Sequence, residues 1–311
     1  MQSRNVGSSG QPVSVLGLGT MTWGIDADEE SAREQLRVFA EAGGTLLSTA
    51  ARYSDGRSEA ILGSLLGDVV ARSEVVLAVL GGTPRRWANG QSDASRKGLL
   101  DSLDASLSRL GTDSVDFWMA PSGGADVPVE ETLSALESAY RSGRARYVGL
   151  TNHAGWEIAR LCATAGFPVT VHETEYSLLN RRVEAEVLPA SSALGVGTFA
   201  WAPLGRGALT GKYRSQLPSD SRAASDTWAP YVETYLSGRA PRITDAVCTA
   251  ARGLELTAHE VALRWLAHRP TVAAVLLGAR TGQQLKELLG SSLAALPAQI
   301  SDVLDEVSAP R

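Results

Sequence analysis

Cysteine is nearly absent from this chain. Its 311 residues include two, Cys162 and Cys248, too few for a disulfide scaffold and without the CxxC spacing of a metal or redox pair. They read as small residues of helix packing, and no metal site is expected. Long apolar runs are missing as well. No stretch approaches the ~18 uncharged apolar residues of a membrane span, and the polar opening MQSRNVGSSGQPVS lacks the apolar core of a secretion signal. A soluble, cytoplasmic protein with no membrane partner is expected. There is no basic excess either: 29 basic against 34 acidic side chains leave a formal charge of −5, which argues against a general nucleic-acid binder. No Pro/Ser-rich tract divides the chain. One domain over residues 1–311 is expected, long enough to bury a substantial core without staples.

What the chain does have is a set of short apolar runs. They begin at Ser14 (SVLGLG), Thr45 (TLLST), Glu74 (EVVLAV), Ser114 (SVDFWM), Ala145 (ARYVGL), Val169 (VTVHE), Val196 (VGTFAW) and Val272 (VAAVLL). Near-continuous apolar character suits strands buried on both faces, as in a parallel sheet. Helix-period segments separate them. Val129, Leu133, Leu136 and Tyr140 form one stripe ending at Gly143, Leu99, Leu103, Leu107 and Leu110 form another ending at Gly111, and Glu29 to Ala42 stops at Gly43 and Gly44. Strand and helix alternating about eight times, at roughly 25–40 residues per repeat, predict an α/β chain closed as an eight-stranded parallel (β/α)8 TIM barrel, with a doubly wound sheet as the alternative. The last strand comes late, after a long loop and two helical patterns near Arg242 to Leu254 and Thr257 to His268. Loops of that length usually cover a site. In a barrel the chemistry gathers at the C-terminal strand ends, which directs attention to Met21, Thr49 to Tyr53, Leu80, Pro121, Asn152, His172, Glu173, Trp201 and Arg280.

Several of these stretches, in this order, resemble the aldo-keto reductase family of NADP-dependent (β/α)8 barrels. They are GLGTMTWG at Gly17, TAARYSDGRSEAILG at Thr49, SLSRLGTDSVDF at Ser106, VEETLSALESAYRSGRARYVGLTN at Val129, EYSLLNRR at Glu175, APLGRGALTGKY at Ala202 and LLGART at Leu276. Together they sample nearly the whole chain. The resemblance implies a catalytic set of Asp, Tyr, Lys and His, with the Tyr as proton donor and Lys and His helping it. A phenol with a free pKa of ~10 needs such help near neutral pH. Here Tyr53 remains, while Ser48, Leu80 and Pro121 stand at the other three positions. Leu80 has no donor, and Pro121 has no side-chain group to polarise a carbonyl. Tyr53 is therefore the one catalytic candidate, with barrel-mouth packing as its alternative role.

The cofactor half implied by the resemblance is better kept. Arg280 matches the residue that binds the 2′-phosphate of NADPH, a task its planar fork suits. Thr281 reads as an N-cap with Gln284 completing a capping box, although Leu288 stands where relatives carry an Asn for adenine. Leu204 and Gly207, in the loop that crosses the pyrophosphate, and Gly278 join this set. Asn152 matches the carboxamide-binding Asn, Glu173 replaces the neighbouring Gln, and Trp201 stands where an aromatic stacks on the nicotinamide. His172 is expected to point away from the mouth. Three readings remain at this point: an NADP(H)-dependent enzyme acting on a small carbonyl-type compound through a remodelled site, a catalytically inactive NADP-binding sensor or partner protein, and a non-redox dehydratase, cyclase or isomerase.

Overall fold

The computed structural model describes residues 1–82, 93–123, 127–215, 217–219, 221–225 and 228–310. The eight apolar runs are eight parallel strands closed into a barrel. They are β3 (Leu16–Gly19), β4 (Leu46–Ala50), β5 (Val76–Leu80), β6 (Val115–Pro121), β7 (Ala145–Thr151), β8 (Val169–Glu175), β9 (Gly197–Trp201) and β10 (Val272–Leu277), with β10 pairing back onto β3. Closure rules out the doubly wound alternative. Alternation along each strand sorts the side chains. Val76, Ala78 and Leu80 of β5, Phe117 and Met119 of β6, Val171 of β8 and Phe199 of β9 share the interior cluster, while Leu77, Val79, Trp118 and Ala120 join the outer cluster beneath the helices. The interior is packed, with Phe117 stacked on Tyr147 at 5.1 Å and edge-on to Phe199 at 5.5 Å.

The helices between strands carry the expected signals. In α1 (Glu29–Glu41) the Asp28 side chain accepts from the Ser31 amide, and in α3 (Arg96–Leu110) Ser95 does so from Gly98. The stripe of α4 (Val129–Arg141) buries Leu133 and Leu136, with Val129 and Tyr140 partly covered. Gly143 takes φ +76 just beyond it, the left-handed exit a glycine accepts without Cβ strain. Shorter helices α2 (Arg57–Leu65), α5 (Gly155–Thr164) and α6 (Val187–Leu194) complete the ring up to β9. The late region holds α7 (Ala229–Glu233), α8 (Ala240–Gly253) and α9 (Ala258–Ala267) before β10, then α10 (Gly282–Leu289) and α11 (Ala298–Ser308).

One element goes beyond the sequence reading. The polar opening forms an antiparallel pair, β1 (Ser3–Asn5) with β2 (Pro12–Ser14), in which Ser3 faces Ser14. Val6 and Val13 are fully buried against the interior cluster at the N-terminal strand ends. Approach there is close: a Cβ at Gly7 would lie 2.4 Å from the Gly195 carbonyl oxygen. The hairpin closes the bottom, so access is from the top.

Candidate functional site

A cleft of about 540 Å³ opens at the C-terminal strand ends, and its lining has two chemically distinct parts. Ser48, Arg52, Tyr53, Glu173 and Trp201 form one, while Lys212, Arg222, Arg280, Gln284 and Glu287 form the other. Leu204 and Gly207, from the loop after β9, and Gly278, just past β10, line the wall with them.

In the first part, strand alternation aims Glu173 of β8 inward. Glu173 is 2 % exposed, and Ser48 Oγ, on β4, donates to its Oε2 at 3.2 Å. Burial pushes this carboxyl up to about 7, against the opposing pull of the Arg52 guanidinium and the Ser48 hydrogen bond. Tyr53 opens a tight turn whose next two residues, Ser54 and Asp55, both have φ +52. Ser54 Oγ pins the turn by donating to the Trp23 carbonyl at 2.8 Å. Burial and the nearby Glu173 carboxylate raise the Tyr53 phenol above its ordinary range, and Arg52, 5.8 Å from the ring centre, only partly offsets them. Tyr53 is thus a poorer acid than a free phenol. Leu80 and Pro121 are buried and neither forms part of the cleft wall. The group poised to exchange protons near neutrality is the Glu173 carboxyl.

Asn152 and Trp201 are coupled. Asn152 has φ +57, its amide donates to the Glu173 carbonyl at 2.9 Å, and its Oδ1 accepts from Trp201 Nε1 at 3.1 Å. The side chain is exposed beside the cleft, and it fixes the plane of an indole that forms the cleft wall. His172 faces away, as expected: its Nε2 accepts from the His153 amide at 3.1 Å. Burial lowers His172 to about 3 and His153 to about 4, so both rings are neutral at pH 7.

In the second part, Thr281 caps α10 by accepting from the Gln284 amide at 3.2 Å. The capping box expected there is displaced by one residue. Gln284 Oε1 accepts from the backbone amide of Arg280, one residue before the cap, at 3.1 Å. Among the described residues, Lys212, Arg222 and Arg280 make no ion pair. Burial and the charge of Arg280 lower the Arg222 guanidinium from its usual range.

The long loop is fastened at the cleft mouth through Glu175 of β8. Arg206, at φ +57, forks onto Glu175 through Nε at 3.1 Å and Nη2 at 2.9 Å, and its Nη1 donates to the Tyr231 carbonyl at 2.6 Å. Its guanidinium stacks 3.8 Å from the Tyr231 ring centre, and Tyr235 donates to Glu175 at 2.9 Å. Trp228 Nε1 reaches across the mouth to Asp26 at 3.1 Å. Part of this loop, residues 216, 220, 226 and 227, lies outside the described residues.

Sequence reasoning flagged Arg52 only as part of the stretch Thr49 to Tyr53 and gave no role to Arg206 or Arg222. Arg206 had a signal in the LGRG stretch; Arg222 opens a short helical turn, Arg222–Ala224, with none. Among the described residues no group of His, Cys, Asp and Glu could hold a metal ion, and no helix is long and apolar enough to cross a membrane.

The family model described as "Aldo/keto reductase family" matches residues 15–309. A rice (Oryza sativa subsp. japonica) protein named "Probable voltage-gated potassium channel subunit beta" is 33% identical over 322 residues, covering 99% of this chain and 96% of its own length. An Arabidopsis thaliana protein of the same name is 31% identical over 319 residues, covering 99% and 95%.

Proposed function

The chain belongs to the aldo/keto reductase family, and on that footing we propose that it binds NADP(H) in the barrel mouth and acts on a small carbonyl-type compound through a remodelled site. The observation that carries this reading is the polarity of the cleft. Three cations without ion-pair partners among the described residues, Lys212, Arg222 and Arg280, belong to one part of the lining, and an indole, a phenol, a carboxyl and the Arg52 guanidinium to the other. NADP(H) has the matching form: a pyrophosphate bridge and a 2′-phosphate towards its adenosine half, and the flat nicotinamide ring at the other end. Arg280 would hold the 2′-phosphate by its planar fork. Gly207, at φ +100, leaves the backbone bare for close approach. Trp201, its plane fixed by Asn152, offers a flat wall for the ring. Nicotinamide, when bound, supplies or accepts a hydride. Glu173 and Tyr53 are the groups able to hold a proton there.

Titration of the intrinsic tryptophan fluorescence tests this. NADPH is expected to quench more tightly than NADH, and Arg280→Ala is expected to lose about tenfold in NADPH affinity, the value of one charge-assisted phosphate contact. Quenching by neither nucleotide removes the cofactor reading, and equal affinities remove the role given to Arg280.

A second reading, a nucleotide-binding protein without turnover, is favoured by Leu80 and Pro121, which lie buried off the cleft, and by the raised Tyr53 phenol. Both plant relatives are named for a subunit role rather than a reaction, in line with it.

A further inference from the structure

Glu173 is the unusual feature of the cleft. It is a carboxyl 2 % exposed, with one hydrogen-bond partner, Ser48, and no ion pair among the described residues. Buried carboxylates are normally paired. The charged or titratable groups facing it are Arg52 and Tyr53, from the turn after β4. The flanking strands present none: β7 ends in Thr151 and then Asn152, and β9 carries Phe199 and Trp201. On its own strand, Glu175 is neutralised by Arg206.

We propose that the protonation state of Glu173 decides which oxidation state of the nicotinamide the cleft prefers: the carboxylate favours the cationic oxidised ring, the carboxylic acid the neutral reduced ring. This rests on the NADP(H) reading above. Phosphates drawn to Lys212, Arg222 and Arg280 leave the ring for the remaining part of the lining, to which Glu173 and Trp201 belong. A cationic ring beside a poorly solvated carboxylate replaces its missing ion-pair partner. A neutral ring in the same place removes water from that carboxylate without compensation, so the protonated form is selected. Oxidised nucleotide therefore binds with release of a proton, and reduced nucleotide with uptake of one. Burial already holds this carboxyl near neutrality, so both forms are available to be selected.

The test measures dissociation constants for NADP+ and NADPH by tryptophan quenching from pH 5.5 to 8.5. Ionisation of the 2′-phosphate is common to both nucleotides and cancels in their ratio. In the unmodified protein the ratio of the NADP+ constant to the NADPH constant is expected to fall by about tenfold or more across this range, the size of one charge pair at short distance in a partly screened site. Glu173→Gln is expected to hold the acid-side ratio at every pH. Ser48→Ala, which removes the one hydrogen bond favouring the ionised form, is expected to move the midpoint to higher pH, and it carries the test if Glu173→Gln does not fold. Calorimetry in two buffers of different ionisation enthalpy should show opposite proton exchange for the two nucleotides. If both nucleotides bind with a ratio independent of pH, or if Glu173→Gln follows the unmodified protein, the proposal is overturned while the cofactor reading stands. If neither binds, the cofactor reading itself fails.

Discussion

Glu173→Gln should make the nucleotide-free barrel more stable above neutral pH, and by an amount the structure sets. The carboxyl rises from an ordinary 4.5 to about 7 on folding because burial penalises its charge. A group whose folded pKa exceeds its unfolded one holds protons more tightly in the native state. Its contribution is therefore fully present below pH 4.5 and is lost as pH climbs through 7. At about 1.4 kcal/mol per unit, the loss is about 3 kcal/mol. Glutamine keeps the shape and an acceptor for Ser48 but does not titrate. Any constant offset between the proteins is independent of pH, so the quantity to follow is how their difference changes. For a chain of this size about 3 kcal/mol corresponds to a gap in Tm opening by on the order of 5 °C between pH 4.5 and pH 8. Thermal melts at half-unit intervals, followed by circular dichroism, measure it. The buried histidines titrate equally in both proteins and drop out. A gap that stays constant would refute the burial argument, and a gap that closes as pH rises would mean that Arg52 outweighs desolvation and stabilises the anion.

Two further outcomes follow from other parts of the structure. Arg206→Ala removes a two-pronged contact to Glu175 and the stacking under Tyr231, leaving the partly buried Glu175 with only Tyr235 to bond it; a loss of about 2 kcal/mol is expected, with limited proteolysis cutting first in the loop after β9. His172 and His153 stay neutral when folded, at about 3 and about 4 against 6.5 unfolded, so stability should fall as pH drops below 6.5, at about 1.4 kcal/mol per unit for each. His172→Gln, which retains an acceptor for the His153 amide, should lose about 1.4 kcal/mol per unit less than the unmodified protein in urea titrations at pH 4.5, 5.5 and 6.5, the opposing gain from Glu173 being common to both, and a difference that stays constant would show that His172 already charges inside the fold.

The barrel was legible because a strand buried on both faces has to be apolar nearly throughout, and VAVLL-like runs separated by amphipathic helices have few other architectures open to them. The β1 to β2 hairpin was not legible. Its strands have three residues each and Ser3 to Asn5 lie largely at the surface, so their pairing depends on a barrel end that forms elsewhere in the chain. At the site, Ser48, Tyr53, Leu80 and Glu173 could be picked out by motif position, but motif position did not reveal that Ser48 and Glu173 meet across the barrel, since they come from strands 125 residues apart. Arg222 was beyond reach for another reason. Its place in the cleft is set by a loop held through Arg206 and Trp228, and such tertiary fastening leaves no periodic trace.

On the proposed correspondence of Ser48, Leu80 and Pro121 with the family's Asp, Lys and His, the three changes are not independent. In a site holding Asp, Lys and His together, opposite charges offset one another, and each tolerates burial because the others are present. On that correspondence the mouth has neither the lysine that would make the Tyr53 phenol more acidic nor the aspartate that would hold such a lysine. Leu80 then packs in the interior cluster at 1 % exposure, where an unpaired ammonium would be costly. This leaves a single buried charge, Glu173, facing a phenol that it raises. Restoring lysine alone at position 80 would bury an ammonium in the apolar interior cluster without an aspartate to pair it. The expected result is a less stable barrel in which Arg52 is still the cation beside Tyr53. The proton chemistry of this mouth thus follows from the carboxyl at position 173, and a return to the phenol would require Ser48 and Leu80 to change together.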